Sequence, residues 1–205
     1  MIEIYDNSLQ ILVLLICGVI TIYKAVKYDS RTWTMLAFFY GSWALGDIYW
    51  VFCIVFFDGT PTVTAVSDIG WYTAFLFLYV LLNQLAPPEK GWHKRLLPWV
   101  GPLFAGAMTI YFMQDGNILS NLMSGILISM VLHTCLLRVT DREHFSSVFY
   151  LGILTLILFM LEYALWLIPW SSRGDTVYNP YYWVDVLITI SFVFFIPAVK
   201  KAVTE

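Results

Sequence analysis

The sequence predicts an all-α integral membrane protein, a bundle of seven transmembrane helices forming a single domain over residues 1–205. Three observations carry this. Hydrophobic residues make up 60% of the chain and charged residues 12%, about half the charged share of a soluble domain. Apolar runs recur at the ~20-residue length that crosses a bilayer. The polar gaps between them are short, and the basic residues collect in alternate gaps.

The spans fall at 9–27, 33–57, 66–86, 97–114, 118–138, 147–169 and 180–198. Each must be helical, because a lone segment in hydrocarbon can satisfy its backbone polar groups only internally. The fourth is the weakest, since Gly101, Pro102 and Gly106 interrupt a short run. Residues 1–8 carry Glu3 and Asp6 and no base, the opposite of a signal-peptide n-region. Orientation follows from Lys24, Lys27, Arg31, Lys90, Lys94, Arg95, Arg138, Arg142, Lys200 and Lys201, which follow spans one, three, five and seven. The opposite side holds Arg173 alone, with Glu3, Asp6, Asp58, Asp115 and Asp175. The positive-inside rule then puts the N-terminus outside and the C-terminus in the cytoplasm. With no lipidation motif and no extended soluble region, the expected location is a bacterial cytoplasmic membrane.

Four acids break the apolar runs: Asp47 in span two, Asp68 opening span three, Glu162 in span six and Asp185 in span seven. A charge at membrane depth costs a few kcal/mol on insertion scales and usually faces a bundle interior or a wet cavity. Helical rise puts all four in the outer half of the membrane. Helical spacing adds aromatic neighbours: Trp43 and Trp50 beside Asp47, Trp71 and Tyr72 after Asp68, Trp166 after Glu162, and Tyr182 before Asp185. Two further stripes are Thr155, Phe159, Glu162 and Trp166, and Tyr181, Asp185, Thr189 and Phe192. The acids are 21 residues apart in the first pair and 23 in the second. This admits a 3+1+3 parallel repeat, the plan of SWEET-type transporters.

Carboxylates with aromatic walls suit a cationic group, through charge pairing and cation–π attraction. They equally suit protonated acids, since burial favours a neutral carboxyl. In that form Asp47, Glu162 and Asp185 are the general acid/base candidates of an enzyme. Each feature also has a plainer reading. Asp68 and Asp185 lie near helix starts, where a carboxylate caps N–H groups. Trp33, Trp92, Trp99, Trp170 and Tyr178 suit an interfacial belt. Asn83, Asn121 and His133 suit interhelical hydrogen bonds. His93 and His144 suit solvated loops. Cys17, Cys53 and Cys135 suit small buried hydrophobes.

Several classes are disfavoured. The three dispersed histidines make no zinc site of familiar spacing. No Lys lies in span seven for a retinal Schiff base, and no GxSxG, P-loop or dinucleotide fingerprint occurs. No metal and no cofactor is expected, and the basic loops do not form a nucleic-acid surface.

The stretch Leu45-Gly46-Asp47-Ile48-Tyr49, then Ser67-Asp68-Ile69-Gly70-Trp71-Tyr72 and Phe75-Leu76-Phe77-Leu78-Tyr79, resembles uncharacterised multi-span membrane proteins of Gram-positive bacteria. It is also similar to the membrane sensor modules that precede diguanylate cyclase domains. This likeness covers spans two and three, and it implies ligand sensing through a cytoplasmic protein partner, since the chain ends at Glu205 without an output domain. Leu45-Gly46-Asp47 further resembles the lysoplasmalogenase membrane hydrolases, whose histidine-bearing next helix is not matched. Asp47 and Asp185, with Asn179-Pro180, resemble the integral membrane terpene cyclases. The leading expectation is a small-ligand-binding membrane protein of sensor or receptor type with an outward-facing acidic-aromatic pocket. The alternatives are a membrane enzyme acting on a lipid or isoprenoid, and a small-solute transporter. The expected partners are the lipid bilayer, a small-molecule or lipid ligand, and that cytoplasmic protein.

Overall fold

The computed structural model describes residues 2–57, 65–86, 96–114, 117–140, 147–168 and 176–204. Asp58, Lys90, Trp92, His93, Lys94, Arg95, Asp115, Arg142, His144, Trp170, Arg173 and Asp175 lie outside the described residues. Among the described residues all regular structure is helical. The helices are α1 (Ile2–Tyr28), α2 (Arg31–Phe57), α3 (Ala65–Leu85), α4 (Val100–Phe112), α5 (Ile118–Thr140), α6 (Phe149–Leu167) and α7 (Pro180–Thr204). A 3₁₀ turn, Leu97–Trp99, leads into α4. All but α4 are long and apolar enough to cross a membrane.

The boundaries differ from the expected spans at three informative places. α1 starts at Ile2 rather than near 9. Glu3 sits in its first turn, where a carboxylate meets the positive helix end, and Asn7 Nδ2 donates to the Glu3 carbonyl at 2.8 Å. α7 runs on to Thr204. α4 has 13 residues and so rises about 20 Å, short of a ~30 Å hydrocarbon core. Pro98, Gly101 and Pro102 crowd its start, and neither Pro brings a donor N–H.

Short connections order the bundle. α1 and α2 join through Asp29, whose φ of 44° turns the chain sharply; Asp tolerates this left-handed region better than most residues. Asn117 Oδ1 accepts from the Leu119 and Ser120 N–H groups and caps α5. Asn179 Oδ1 does the same for Tyr181 at the start of α7, with Pro180 preset for the first helical position. α1, α2 and α3 pack in succession, α5 lies against α3 and α6, α4 lies on α5, and α7 closes on α6 and α1.

The tightest crossing is between α2 and α3. A Cβ on Gly70 would stand 2.8 Å from the Gly46 nitrogen, and one on Gly46 would stand 2.7 Å from Trp71 Nε1. Backbones can approach this closely only where both residues lack a side chain. Gly70→Ala should therefore push the helices apart at a cost of about 1–3 kcal/mol. The check is the midpoint of an SDS unfolding titration. An unchanged midpoint would mean the two glycines do not touch.

Leu14, Phe39, Phe75, Phe159 and Phe192 are fully buried, and the four Phe rings with Trp43 form a continuous cluster joining α2, α3, α6 and α7. Trp43 meets Phe192 at 4.8 Å and Phe75 at 5.6 Å, and Phe75 meets Phe159 at 5.0 Å, all edge to face. Tyr40 braces this cluster by donating from its hydroxyl to the Phe192 carbonyl at 2.7 Å. Large apolar residues such as Leu12, Ile16, Val19, Phe52 and Phe56 point outward, as lipid-facing residues do.

Two expectations are corrected. Trp33 does not belong to an interfacial belt: it is 4% exposed, and the Lys24 ammonium lies 4.2 Å over its ring. Arg138 is not a loop base. α5 continues past it, and it is 1% exposed, donating to the Thr134 carbonyl, to Asn83 Oδ1 and to the Ala86 carbonyl. Its long stem lets the guanidinium reach the end of α3 from inside a helix. Tyr178, by contrast, is 90% exposed, as a belt residue would be. The three cysteines are buried and unbridged. Asn121 donates to the Phe112 carbonyl, joining α5 to α4 as an interhelical bond.

Candidate ligand-binding cavity

Toward the end of the bundle where α1 begins, the helices part around a cavity of about 470 Å³. That lies within the range of small-molecule sites. Asp47, Asp68, Glu162 and Asp185 all line it, as do Trp43, Trp50, Trp71, Tyr72 and Trp166. The four helices that carry the acids thus turn them inward together. Tyr182 is not among the lining residues. Its ring meets Tyr181 edge to face at 5.6 Å, and Tyr181 reaches the cavity instead. Tyr181 stands four residues before Asp185, and so one turn above it on the same face.

Each acid has a distinct setting. Asp47 is 2% exposed. Its Oδ1 accepts from Trp71 Nε1 at 2.9 Å, and its Oδ2 has no hydrogen-bond partner among the described residues. The Gly46–Gly70 contact creates this pairing, because it brings the next residue on each helix within reach. Asp185 is 5% exposed and is held from α1: Gln10 Nε2 donates to its Oδ1 and to Thr189 Oγ1, both at 3.2 Å. It therefore does more than cap α7. Asp6 also approaches it within carboxyl–carboxyl range. Asp68 is half-buried and tied to α5, where Ser120 Oγ donates to its Oδ2 at 2.7 Å. Tyr72 donates to the Ser120 carbonyl at 2.8 Å. Glu162 is 7% exposed and receives no hydrogen bond from a described residue. Its electrostatic neighbours are Asp185 and Asp47.

The candidate catalytic set, Asp47, Glu162 and Asp185, is thus brought within mutual electrostatic reach. No Lys, Arg or His is among the described lining residues. Nor do any three His, Cys, Asp or Glu side chains among the described residues come close enough to hold one metal ion. The site can accept hydrogen bonds, offer negative charge, and stack on Trp and Phe rings. Trp50 and Trp71 face each other at 6.0 Å near the rim, where Trp50 Nε1 donates to Glu3 Oε1 at 3.3 Å.

Several lining residues were not singled out from sequence. Asn7 and Gln10 come from the first turns of α1, and Ser120 and Ser124 from α5. Glu3, Asn7 and Gln10 stand at helical spacing, a polar stripe that would have revealed the earlier start of α1. The neutral α5 groups carry no comparable signal, because Ser in a membrane helix more often bonds its own backbone.

Trp43 and Phe75 line the cavity, and Phe192 and Phe159 pack behind them. A separate cavity of about 320 Å³ lies toward the opposite end, with Asn83, His133 and Arg138 among its lining. His133 there meets the Trp99 ring at 5.0 Å in a tilted arrangement.

In comparisons with known proteins, the chain matches no family model, no curated protein and no solved structure.

Proposed function

We propose that this protein binds a small ligand in the acidic-aromatic cavity and acts as a sensor or receptor in a bacterial cytoplasmic membrane, with the cavity open to the outside. The observation that carries this reading is the convergence of Asp47, Asp68, Glu162 and Asp185 on one cavity backed by packed rings. Buried acids are expensive in a membrane protein and mark functional sites by default. The bases Lys24, Lys27, Arg31, Lys200 and Lys201 lie at the other end, which favours that end as cytoplasmic. A cytoplasmic partner would meet the protein there. The acid pairs of α2–α3 and α6–α7 face one cavity, with short α4 between the halves, and this fits a 3+1+3 parallel repeat. The rings packed beneath Trp43 and Phe75 favour sensing over a solute path.

A second reading, a membrane enzyme, rests on the mutual proximity of Asp47, Glu162 and Asp185 within aromatic walls. It requires turnover of a lipid or isoprenoid substrate that Asp47→Asn abolishes.

Site-directed labelling tests the leading reading. Ser124 lines the cavity, and Ile128, one turn deeper on α5, is fully buried. Ser124→Cys should react with a membrane-impermeant maleimide added outside intact spheroplasts, and Ile128→Cys should not. Reaction of Ser124→Cys only from the cytoplasmic side of inverted vesicles would overturn the orientation. Reaction of Ile128→Cys would overturn the close packing beneath the cavity and favour transport.

A further inference from the structure

The shape of the acid cluster narrows the ligand class, an inference that rests on the ligand-binding reading above. Glu162 is buried, lines the cavity, and accepts no hydrogen bond from a described residue. The fully buried carboxyl oxygens without a partner among the described residues belong to Asp47 and Asp6, whereas the Glu162 carboxyl opens onto the cavity, where a group that brings N–H or O–H bonds and positive charge can meet it. The described residues supply no base to it. Asp47 and Asp185 add negative charge from two other helices. A metal ion would need three or more ligands at 2.0–2.6 Å, and the acids are spread too widely for that. An organic cation can span the gap.

Around this centre stand Trp43, Trp71, Phe112 and Trp166, rings that attract a cation over their faces and cover apolar surface. Two kinds of ammonium would enjoy the rings. A quaternary ammonium gains cation–π attraction alone, and would leave the Glu162 oxygens without a donor. A primary or secondary ammonium gains that attraction and also donates. Gln10 is no substitute, since its amide is already committed to Asp185 and Thr189. Ser120 is likewise committed to Asp68.

We infer that the cavity takes a small organic compound bearing a protonated primary or secondary amine, with its N–H groups received by Glu162 between Asp47 and Asp185 and its apolar body against Trp71, Trp166 and Phe112.

Four Trp rings line the cavity, so intrinsic fluorescence reports on occupancy. The full-length protein in nanodiscs is titrated with three probes of one shape: phenethylamine, its trimethylammonium analogue and phenethyl alcohol. A fourth, phenylacetate, reverses the charge. The amine should quench saturably and bind at least tenfold tighter than each of the other three. Glu162→Gln should weaken the amine at least tenfold and the alcohol far less, and an unchanged helical circular-dichroism spectrum shows that the variant is folded. Equal or tighter binding of the trimethylammonium compound would overturn the donor requirement and with it the proposal. Equal binding of the alcohol, or amine binding indifferent to Glu162→Gln, would overturn the charge requirement. In those cases, saturable binding blocked by maleimide-labelled Ser124→Cys leaves the ligand-binding reading standing. No saturable quenching by any of the four probes would count against both.

Discussion

Phe192→Ala should cost about 2–3 kcal/mol of stability. Phe192 is fully buried and touches Trp43 at 4.8 Å and Phe39 at 5.9 Å. Its removal empties roughly 100 Å³, which at ~24 cal/mol per Å³ of cavity amounts to about 2.4 kcal/mol. The usual transfer contribution is smaller here, because the alternative surroundings of the ring are lipid rather than water. The SDS unfolding midpoint should fall, and an unchanged midpoint would mean that Phe192 is not packed between Phe39 and Trp43. Phe192→Leu should recover most of the stability, since it keeps more of the volume.

Glu162→Gln should act in the opposite direction and raise the stability of the ligand-free protein by about 1–2 kcal/mol. Most substitutions destabilise, so the sign is the informative part. Glu162 receives no hydrogen bond from a described residue, while Asp47 and Asp185 lie within electrostatic reach. At a pH where Glu162 is ionised, the amide removes one charge from such a group, relieves repulsion and keeps the side chain's shape. Binding sites commonly carry this kind of built-in instability, at the expense of the empty state. Asp47→Asn should gain less, because Asp47 already receives the Trp71 N–H, and an Asn oxygen can accept it as well. Both are read by thermal unfolding in detergent without added ligand. A loss of more than 1 kcal/mol in Glu162→Gln would assign Glu162 a structural role and remove it from the candidate site. Taken with the amine titrations, a stabilised variant that no longer prefers the amine would be the signature of a recognition residue.

The helices were legible because hydropathy in a membrane protein is a direct record of the solvent. Apolar runs of the right length must be helical, and six of the seven expected spans are long enough to cross. The acids were legible for the same reason, since Asp47, Glu162 and Asp185 stand out in hydrocarbon. Their aromatic companions followed from the 3.6-residue period, apart from Tyr182, whose place Tyr181 takes. Polarity hid what lay outside the apolar windows. α1 begins at Ile2 because helix formation continues through polar residues that hydropathy discards, and that extra length delivers Asn7 to the cavity wall and Glu3 to Trp50. Trp33 and Arg138 were misplaced by their chemistry, an aromatic near a span end and a base beside a loop, yet both are buried by neighbouring helices.

By itself the sequence determined that this chain is helical and membrane-embedded, where its helices run, and which residues are too polar for lipid. Only the tertiary structure decided that Asp47 and its three fellow acids face one cavity, that α1 and α5 complete its wall, and that Trp43 and Phe75 join that wall with Phe192 and Phe159 packed behind them. The reason is physical. Lipid is as apolar as the helix faces it touches, so hydrophobicity cannot choose which faces meet. That choice falls to shape, as where Gly46 meets Gly70 and sets Trp71 on Asp47, and shape between distant helices has no period along the chain.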